Sequence, residues 1–182
     1  LSDDIYPHYE KKLIDKFFTT SFSKILGWNR NANTSGEDVT NDGKVFFSIN
    51  KYGERSTPGF NEKKGRITVY GDSYAFCRLV NDNETWPYFL SRSLGEKVSN
   101  FGVGNYGLDQ CLLKLKNRKY PDTCEIVIFA IVPETIIRIR TSWKHFFEYG
   151  NILAFKPIFK LQNGNLKLIE NPIKSKKNFE KK

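Results

Sequence analysis

The feature that most constrains this chain is an alternation of strand and helix signals between residues 65 and 140. Three apolar runs predict strands, and the stretches between them predict helices. In chain order these are 66–70, 85–90, 97–101, 108–115 and 125–132. Strands joined through helices by short links pair in parallel. The chain is therefore predicted to be an α/β protein, a three-layer α/β/α sandwich with a parallel sheet.

The rest of the chain is organised around this core. Thr85 is expected to cap the first helix of the core with Pro87 in its first turn, and the almost wholly apolar run 125–132 is expected to be a strand covered on both faces. Four segments are predicted: an N-terminal extension (1–64), the α/β core (65–140), a third segment (141–170) and a basic tail (171–182). The extension is expected to contain an amphipathic helix at 9–22 and a strand at 44–50, and the third segment a β-hairpin that turns at 162–165.

Chemistry is expected where the first core strand ends. A serine held in a Gly-Asp-Ser turn directly after a buried parallel strand lies at the carboxyl edge of the sheet, where open α/β folds bind ligands. Ser73 has that position, Gly71 lets the chain bend without a Cβ clash, and Asp72 can accept hydrogen bonds from nearby amides. Because Gly-Asp-Ser alone also occurs in turns with no catalytic task, the neighbouring sequence is needed to judge whether it indicates a catalytic serine.

Two stretches of sequence carry further information: residues 69–74 (Val-Tyr-Gly-Asp-Ser-Tyr), and residues 98–110 with Asn100 and the Gly-rich turn 102–107. In that order they resemble the first and second blocks of the SGNH, or GDSL-type, hydrolase family. The resemblance covers about residues 66–132. It implies a flavodoxin-like sheet, of which three strands are recognisable here, and a serine nucleophile at Ser73.

The resemblance also implies an oxyanion hole, in which this chain departs from the family. Asn105, preceded by Gly104, stands where the second block most often has its oxyanion Gly; Asn tolerates a left-handed backbone and still offers its N–H. The third block usually supplies an Asn side chain, but Pro133 follows the third strand here. Glu134 is considered as support for the site, with a charge at a helix N-terminus as the plainer alternative.

The general base is the largest departure from the family pattern. The family's late Asp-x-x-His is not in the chain, whose histidines are His8 and His145. His145 lies among aromatic residues with no Asp nearby in sequence, so a packed or surface imidazole is favoured over a catalytic one. Two explanations for the missing base stay open. In the first, the chain is a fragment whose remainder holds the base; in the second, the fold has a non-catalytic role. The first is favoured, because the chain lacks an initiator Met and only three strands of a usually five-stranded sheet can be counted.

Charge and cysteine content bound the partners. The net charge is +9, but residues 171–182 carry five Lys and one Glu, so almost half of the excess is expected in a solvated tail, and nucleic-acid binding is not expected. Lys114 and its basic neighbours are expected on the solvated end of a helix. Three cysteines without Cys-x-x-Cys spacing predict reduced thiols, a cytoplasmic location, and neither a metal nor a cofactor. No membrane span is expected.

The expected function is a serine-dependent carboxylic-ester hydrolase or acyltransferase, with an O-acetylated carbohydrate as a substrate by family analogy alone. Two alternatives from other classes remain: a catalytically inactive glycan-binding module, and a module that binds an anionic partner through the basic tail. The oligomeric state is open. An α/β-hydrolase is less attractive because Gly71-Asp72-Ser73-Tyr74-Ala75 lacks the second Gly of that family's nucleophile turn.

Overall fold

The structure, a computed structural model, describes residues 7–63, 65–118 and 124–179. Within these residues the chain forms two compact units. The terminal unit takes its residues from Leu1–Asn29 and Ile136–Lys182, and the sheet unit from Arg30–Thr135. The N-terminal segment 1–64 therefore contributes to both units.

Five α-helices and nine strands are formed by the described residues. The helices are α1 (Lys11–Thr20), α2 (Ser73–Phe76), α3 (Trp86–Leu94), α4 (Leu108–Lys116) and α5 (Lys176–Phe179). The strands are β1 (Phe22–Ser23), β2 (Gly27–Trp28), β3 (Thr34–Thr40), β4 (Gly43–Ile49), β5 (Ile67–Gly71), β6 (Val98–Asn100), β7 (Ile126–Ala130), β8 (Ile158–Gln162) and β9 (Asn165–Ile169). Short 3₁₀ helices lie at Asp82–Glu84, Pro133–Arg140 and Lys144–Phe146.

A three-stranded parallel sheet forms the centre of the sheet unit. Its strand order is β6-β5-β7, with Ile67 opposite both Val98 and Ile126. Every residue of β5 is buried, as expected for a central strand with helices on its faces. The predicted α/β class and the parallel pairing of the three core strands are thus confirmed.

Local chemistry sets the helix boundaries. Thr85 caps α3 by accepting a hydrogen bond from the Tyr88 N–H at 3.2 Å, and Pro87 lies in the first turn, where its missing N–H is not needed. Gly95 ends the helix in the left-handed conformation. The predicted cap and proline placement are confirmed.

An antiparallel hairpin extends the sheet unit beside β6. Strands β3 and β4 pair along their whole lengths, and Arg55 bridges Ile49 at the end of β4 to Asn100 of β6. The other edge of β4 is held by side chains: the Phe46 N–H donates to Asn81 and the Ser48 N–H donates to Asp82. The hairpin is therefore joined to the parallel sheet through Arg55.

Strand β7 differs from the sequence-based expectation. Ile126 is 46 % exposed and Val127 is 38 % exposed, so the strand is not covered on both faces. The reason is its place at the edge of the sheet, next to β5 alone. An apolar run identifies a strand but does not by itself distinguish a central strand from an edge strand.

The terminal unit has its own core and includes the described part of the tail. Ile14 of α1 packs with Phe155 and with Ile173, which is only 1 % exposed. Lys174 pairs with Glu170 and Lys176 pairs with Asp15. The expectation of a fully solvated tail is therefore wrong for residues 171–179, because an isoleucine in the tail is part of the core.

The hairpin predicted for residues 141–170 is present. Strands β8 and β9 pair in antiparallel register, and Asn163 and Gly164 both have positive φ, as a primed two-residue turn requires.

Among the described residues, no helix combines the length and the apolar character needed to cross a bilayer.

Candidate functional site

Ser73 is the first residue of α2 and follows β5 after one intervening residue. It lies at the carboxyl end of the central strand, with its side chain partly exposed. The buried Asp72 caps the helix by accepting a hydrogen bond from the Tyr74 N–H at 2.9 Å. Among the described residues, no hydrogen-bond partner is found for the Ser73 hydroxyl. The serine is thus displayed at the sheet edge and the turn beneath it is held by Asp72.

Two glycines allow close backbone packing around this turn. A Cβ at Gly71 would lie 2.5 Å from the Ala75 Cβ and 2.7 Å from the Ala130 oxygen. A Cβ at Gly102 would lie 2.4 Å from the Phe76 nitrogen. Any larger residue would therefore force β5 away from α2, or the 102–107 turn away from α2.

Hydrogen bonds join the two chain segments that carry the family-like blocks. The Val103 N–H donates to the Gly71 oxygen at 3.0 Å. Asn100, which is 2 % exposed, donates from Nδ2 to the Ala75 oxygen at 2.8 Å and accepts from the Gly102 N–H at 2.9 Å. The two segments therefore meet at α2, and the Asn100 side chain fixes this junction rather than facing solvent.

Asn105 has a left-handed backbone, which asparagine tolerates. Its φ is +69° and its side chain is exposed, whereas Gly104 has a negative φ and open space where a Cβ would lie. The amide of Asn105, like that of Ser73, is in no hydrogen bond with another described residue. Two backbone N–H groups of the two segments are thus available to a ligand.

Two of the three thiols of the sheet unit, Cys77 and Cys111, are poor competitors for the role of nucleophile. Burial raises the pKa of Cys77, and it raises the pKa of Cys111 to about 12. The nearby carboxylates of Asp109 and Asp72 also raise the pKa of Cys111, while Lys114 lowers it. Because the thiolate is the reactive form, these shifts make both side chains weaker nucleophiles.

Glu134 is joined to this arrangement by no hydrogen bond or ion pair among the described residues. Glu134 is exposed in the first turn of the 3₁₀ helix that begins at Pro133. His145 belongs to the terminal unit, where its Nδ1 accepts the Gly150 N–H at 3.0 Å and its ring lies against Trp143 and Tyr149. The supporting role of Glu134 stays a prediction, and His145 has the packed environment that the sequence favoured.

Arg55 is a residue that the sequence did not single out. Its side chain is 1 % exposed and donates three hydrogen bonds to backbone oxygens at and after the end of α2: Phe76, Cys77 and Val80. A lone arginine after a Gly-Glu turn carries no sequence signal of burial. Its role depends on tertiary contacts that only the fold reveals.

Exposed aromatic side chains border Ser73. Tyr74 is 67 % exposed, and Trp86, which is 38 % exposed, donates its Nε1–H to the Tyr74 oxygen at 3.2 Å. A separate pocket of about 380 Å³ lies on the β3–β4 hairpin. Its lining residues are Ser35, Gly36, Glu37, Phe46, Phe47, Ser48 and Asp82. That pocket contains none of the predicted site residues.

Comparison of this chain with protein-family models, with curated proteins and with solved structures gives no match. The functional interpretation therefore depends on the residues and geometry described above.

Proposed function

We propose that this chain carries the nucleophile of an SGNH-type serine esterase or acyltransferase, with Ser73 as that nucleophile. The observation that carries the proposal is the junction at α2. A partly exposed serine begins this helix directly after the central strand, and the 100–105 segment packs against the helix. A serine and unpaired amides at one sheet edge are the parts that acyl transfer needs.

The proposed reaction begins with attack of the Ser73 Oγ on an ester carbonyl. The N–H groups of Ser73 and Asn105 would donate to the oxygen that becomes negative in the tetrahedral intermediate. Collapse releases the alcohol, which takes a proton, and leaves the acyl group on Ser73. Water completes hydrolysis, or a second alcohol completes transfer.

The proposed reaction needs a general base to accept the Ser73 proton, and the Asp-x-x-His that supplies it in the family is not in this sequence. The sheet unit contains no histidine, since His8 and His145 both belong to the terminal unit. Pro133 follows the third strand and offers no side-chain donor like that of the family's third-block Asn, so the proposed oxyanion hole consists of two backbone amides alone. The isolated chain is accordingly expected to be a slow catalyst, since the oxyanion hole and binding retain part of the rate when a triad member is missing.

A second candidate, an inactive module that binds glycans, is favoured by the exposed aromatic rings. Tyr74 follows the serine directly, the Trp86 indole donates to the Tyr74 backbone oxygen, and both exposed rings present apolar surface with a polar tip. The same rings fit the acceptor side of an O-acetylated carbohydrate in the enzymatic proposal. Covalent reactivity of Ser73 distinguishes these two functions.

The test is labelling of the purified chain with a fluorophosphonate in the presence of added imidazole, which supplies the missing base from solution. Labelling is expected at a single residue, identified as Ser73 by peptide mapping, with a rate that increases with imidazole concentration. Ser73→Ala should abolish labelling. Ser93→Ala, which changes an exposed serine on α3 of the same unit, is the matched control and should label at the wild-type rate.

Modification spread over several serines, or equal labelling of the wild type and Ser73→Ala, would refute a nucleophile at Ser73. If the wild type is not labelled but a panel of immobilised glycans retains it, and Trp86→Ala abolishes that retention, the glycan-binding function is supported instead.

A further inference from the structure

The side chain of Arg55 reaches the far end of the short helix that begins with Ser73. Its Nη1 donates to the Phe76 oxygen at 2.6 Å and to the Cys77 oxygen at 2.7 Å, and its Nη2 donates to the Val80 oxygen at 2.6 Å. We propose that Arg55 is a positioning residue for Ser73: it holds the backbone of 73–80 in the conformation that displays the serine. This inference rests on the proposed function of Ser73.

The helix needs such an external contact because it does not stabilise itself. It has four residues, far fewer than an isolated helix needs in water. It ends at Cys77, which has φ +59° and ψ +55°, a left-handed conformation that costs free energy for any residue with a side chain. Two of the three Arg55 hydrogen bonds are accepted by the backbone oxygens of this strained residue and of Phe76 directly before it. The guanidinium therefore stabilises the conformation that local sequence disfavours.

The guanidinium is itself held in place. Its Nε donates to Asp82 at 2.8 Å, and the same carboxylate accepts from the N–H and the hydroxyl of Ser48. The Phe76 ring lies 4.7 Å from the guanidinium carbon. A planar group fixed on one side by a carboxylate keeps its remaining donors aimed at the carbonyl oxygens.

Arg55 also connects the two segments of the proposed site. Its N–H donates to the Asn100 oxygen at 2.8 Å, and the Asn100 side chain in turn donates to the Ala75 oxygen. The backbone and the side chain of one residue thus contact both the 100–105 segment and the 73–80 segment. A lysine at this position would keep the positive charge but has no planar fork to bind several carbonyls.

The test compares Arg55→Lys with Arg66→Lys in two measurements. Arg66 is the matched control because its guanidinium also makes three hydrogen bonds, to Glu96 and Glu125, but next to the opposite end of β5. The first measurement is amide hydrogen exchange by mass spectrometry, and the second is the rate of Ser73 labelling by fluorophosphonate with imidazole. Both are made at a temperature where every variant is folded by circular dichroism.

Arg55→Lys is expected to accelerate exchange in 73–80 by about tenfold while strand β5 stays protected. Labelling of Ser73 should slow by about 100-fold, the scale of a misplaced reacting group. Arg66→Lys should change neither quantity. Faster exchange in 73–80 together with Ser73 labelling at the wild-type rate in Arg55→Lys would overturn the positioning role. Unchanged amide exchange in 73–80 would overturn it as well.

The two proposals fail separately. If the wild-type chain is not labelled, the nucleophile assignment is refuted, and exchange alone then decides whether Arg55 holds this segment. Loss of protection confined to 73–80 upholds that role, and loss spread evenly over the sheet unit overturns it.

Discussion

Lys114 shows how strongly surroundings act on a single residue of this protein. Its ammonium lies 5.6 Å from the centre of the Phe101 ring and 5.8 Å from that of Tyr106. Burial lowers the pKa of Lys114 to about 7, with Cys111 raising it and Arg30 lowering it further. The sequence predicted a solvated lysine at this place, whereas Lys114 is half-buried near these rings; helix periodicity does not show which turns neighbouring segments cover.

This environment predicts a pH dependence of stability. A lysine that titrates near pH 7 when folded and near its ordinary value when unfolded leaves the unfolded state with more bound protons between those values. The free energy of unfolding should therefore rise with pH above 7, by up to about 1.4 kcal/mol per pH unit. Urea unfolding between pH 6.5 and 9.5 should show this rise in the wild type and not in Lys114→Met.

Lys116→Met serves as the control, since Lys116 is exposed at the end of the same helix and should keep the wild-type slope. Parallel stability profiles for the wild type and Lys114→Met would contradict a depressed Lys114 pKa.

At the scale of elements, the packing of the 102–107 turn against α2 is the contact on which the site depends. Gly102→Ala is expected to destabilise the sheet unit by about 1–3 kcal/mol, because the new methyl group would lie against the backbone of Phe76. It should also slow Ser73 labelling, since α2 and the turn must separate. Chemical denaturation and the labelling rate measure the two effects.

Gly104→Ala is the matched control for this substitution. Gly104 belongs to the same turn, has a negative φ, and leaves open space where a Cβ would lie. Gly104→Ala should change stability by about 0.5 kcal/mol or less. Equal effects of the two substitutions would show that the turn does not pack on α2 as described.

The elements also show what sequence alone could predict. The three core strands, the Thr85 cap and the Asn163-Gly164 turn follow from local patterns, and the structure bears them out. The placement of Ser73 after a buried strand follows from the same patterns. The edge position of β7 and the burial of Arg55 could not be predicted, because both depend on which elements become neighbours.

At the scale of the whole molecule, the proposed nucleophile and the basic tail belong to different units. The sheet unit holds Ser73, and the terminal unit includes the described part of the basic tail. Lys174 and Lys176 are in ion pairs with Glu170 and Asp15, so the anionic-partner function has fewer available charges than the sequence indicates. Because Ile173 is in the core, that function is better tested by charge-neutralising substitutions than by deleting the tail.

One hydroxyl and two amides at the edge of the parallel sheet make up the proposed catalytic site. The most direct measurement is a crystal structure of the chain after reaction with a fluorophosphonate. The proposed mechanism predicts phosphorus bonded to the Ser73 Oγ, with the phosphonyl oxygen about 2.7–3.1 Å from the backbone nitrogens of Ser73 and Asn105. A phosphonyl oxygen that faces solvent without contacting these amides, or an adduct on another residue, would contradict it.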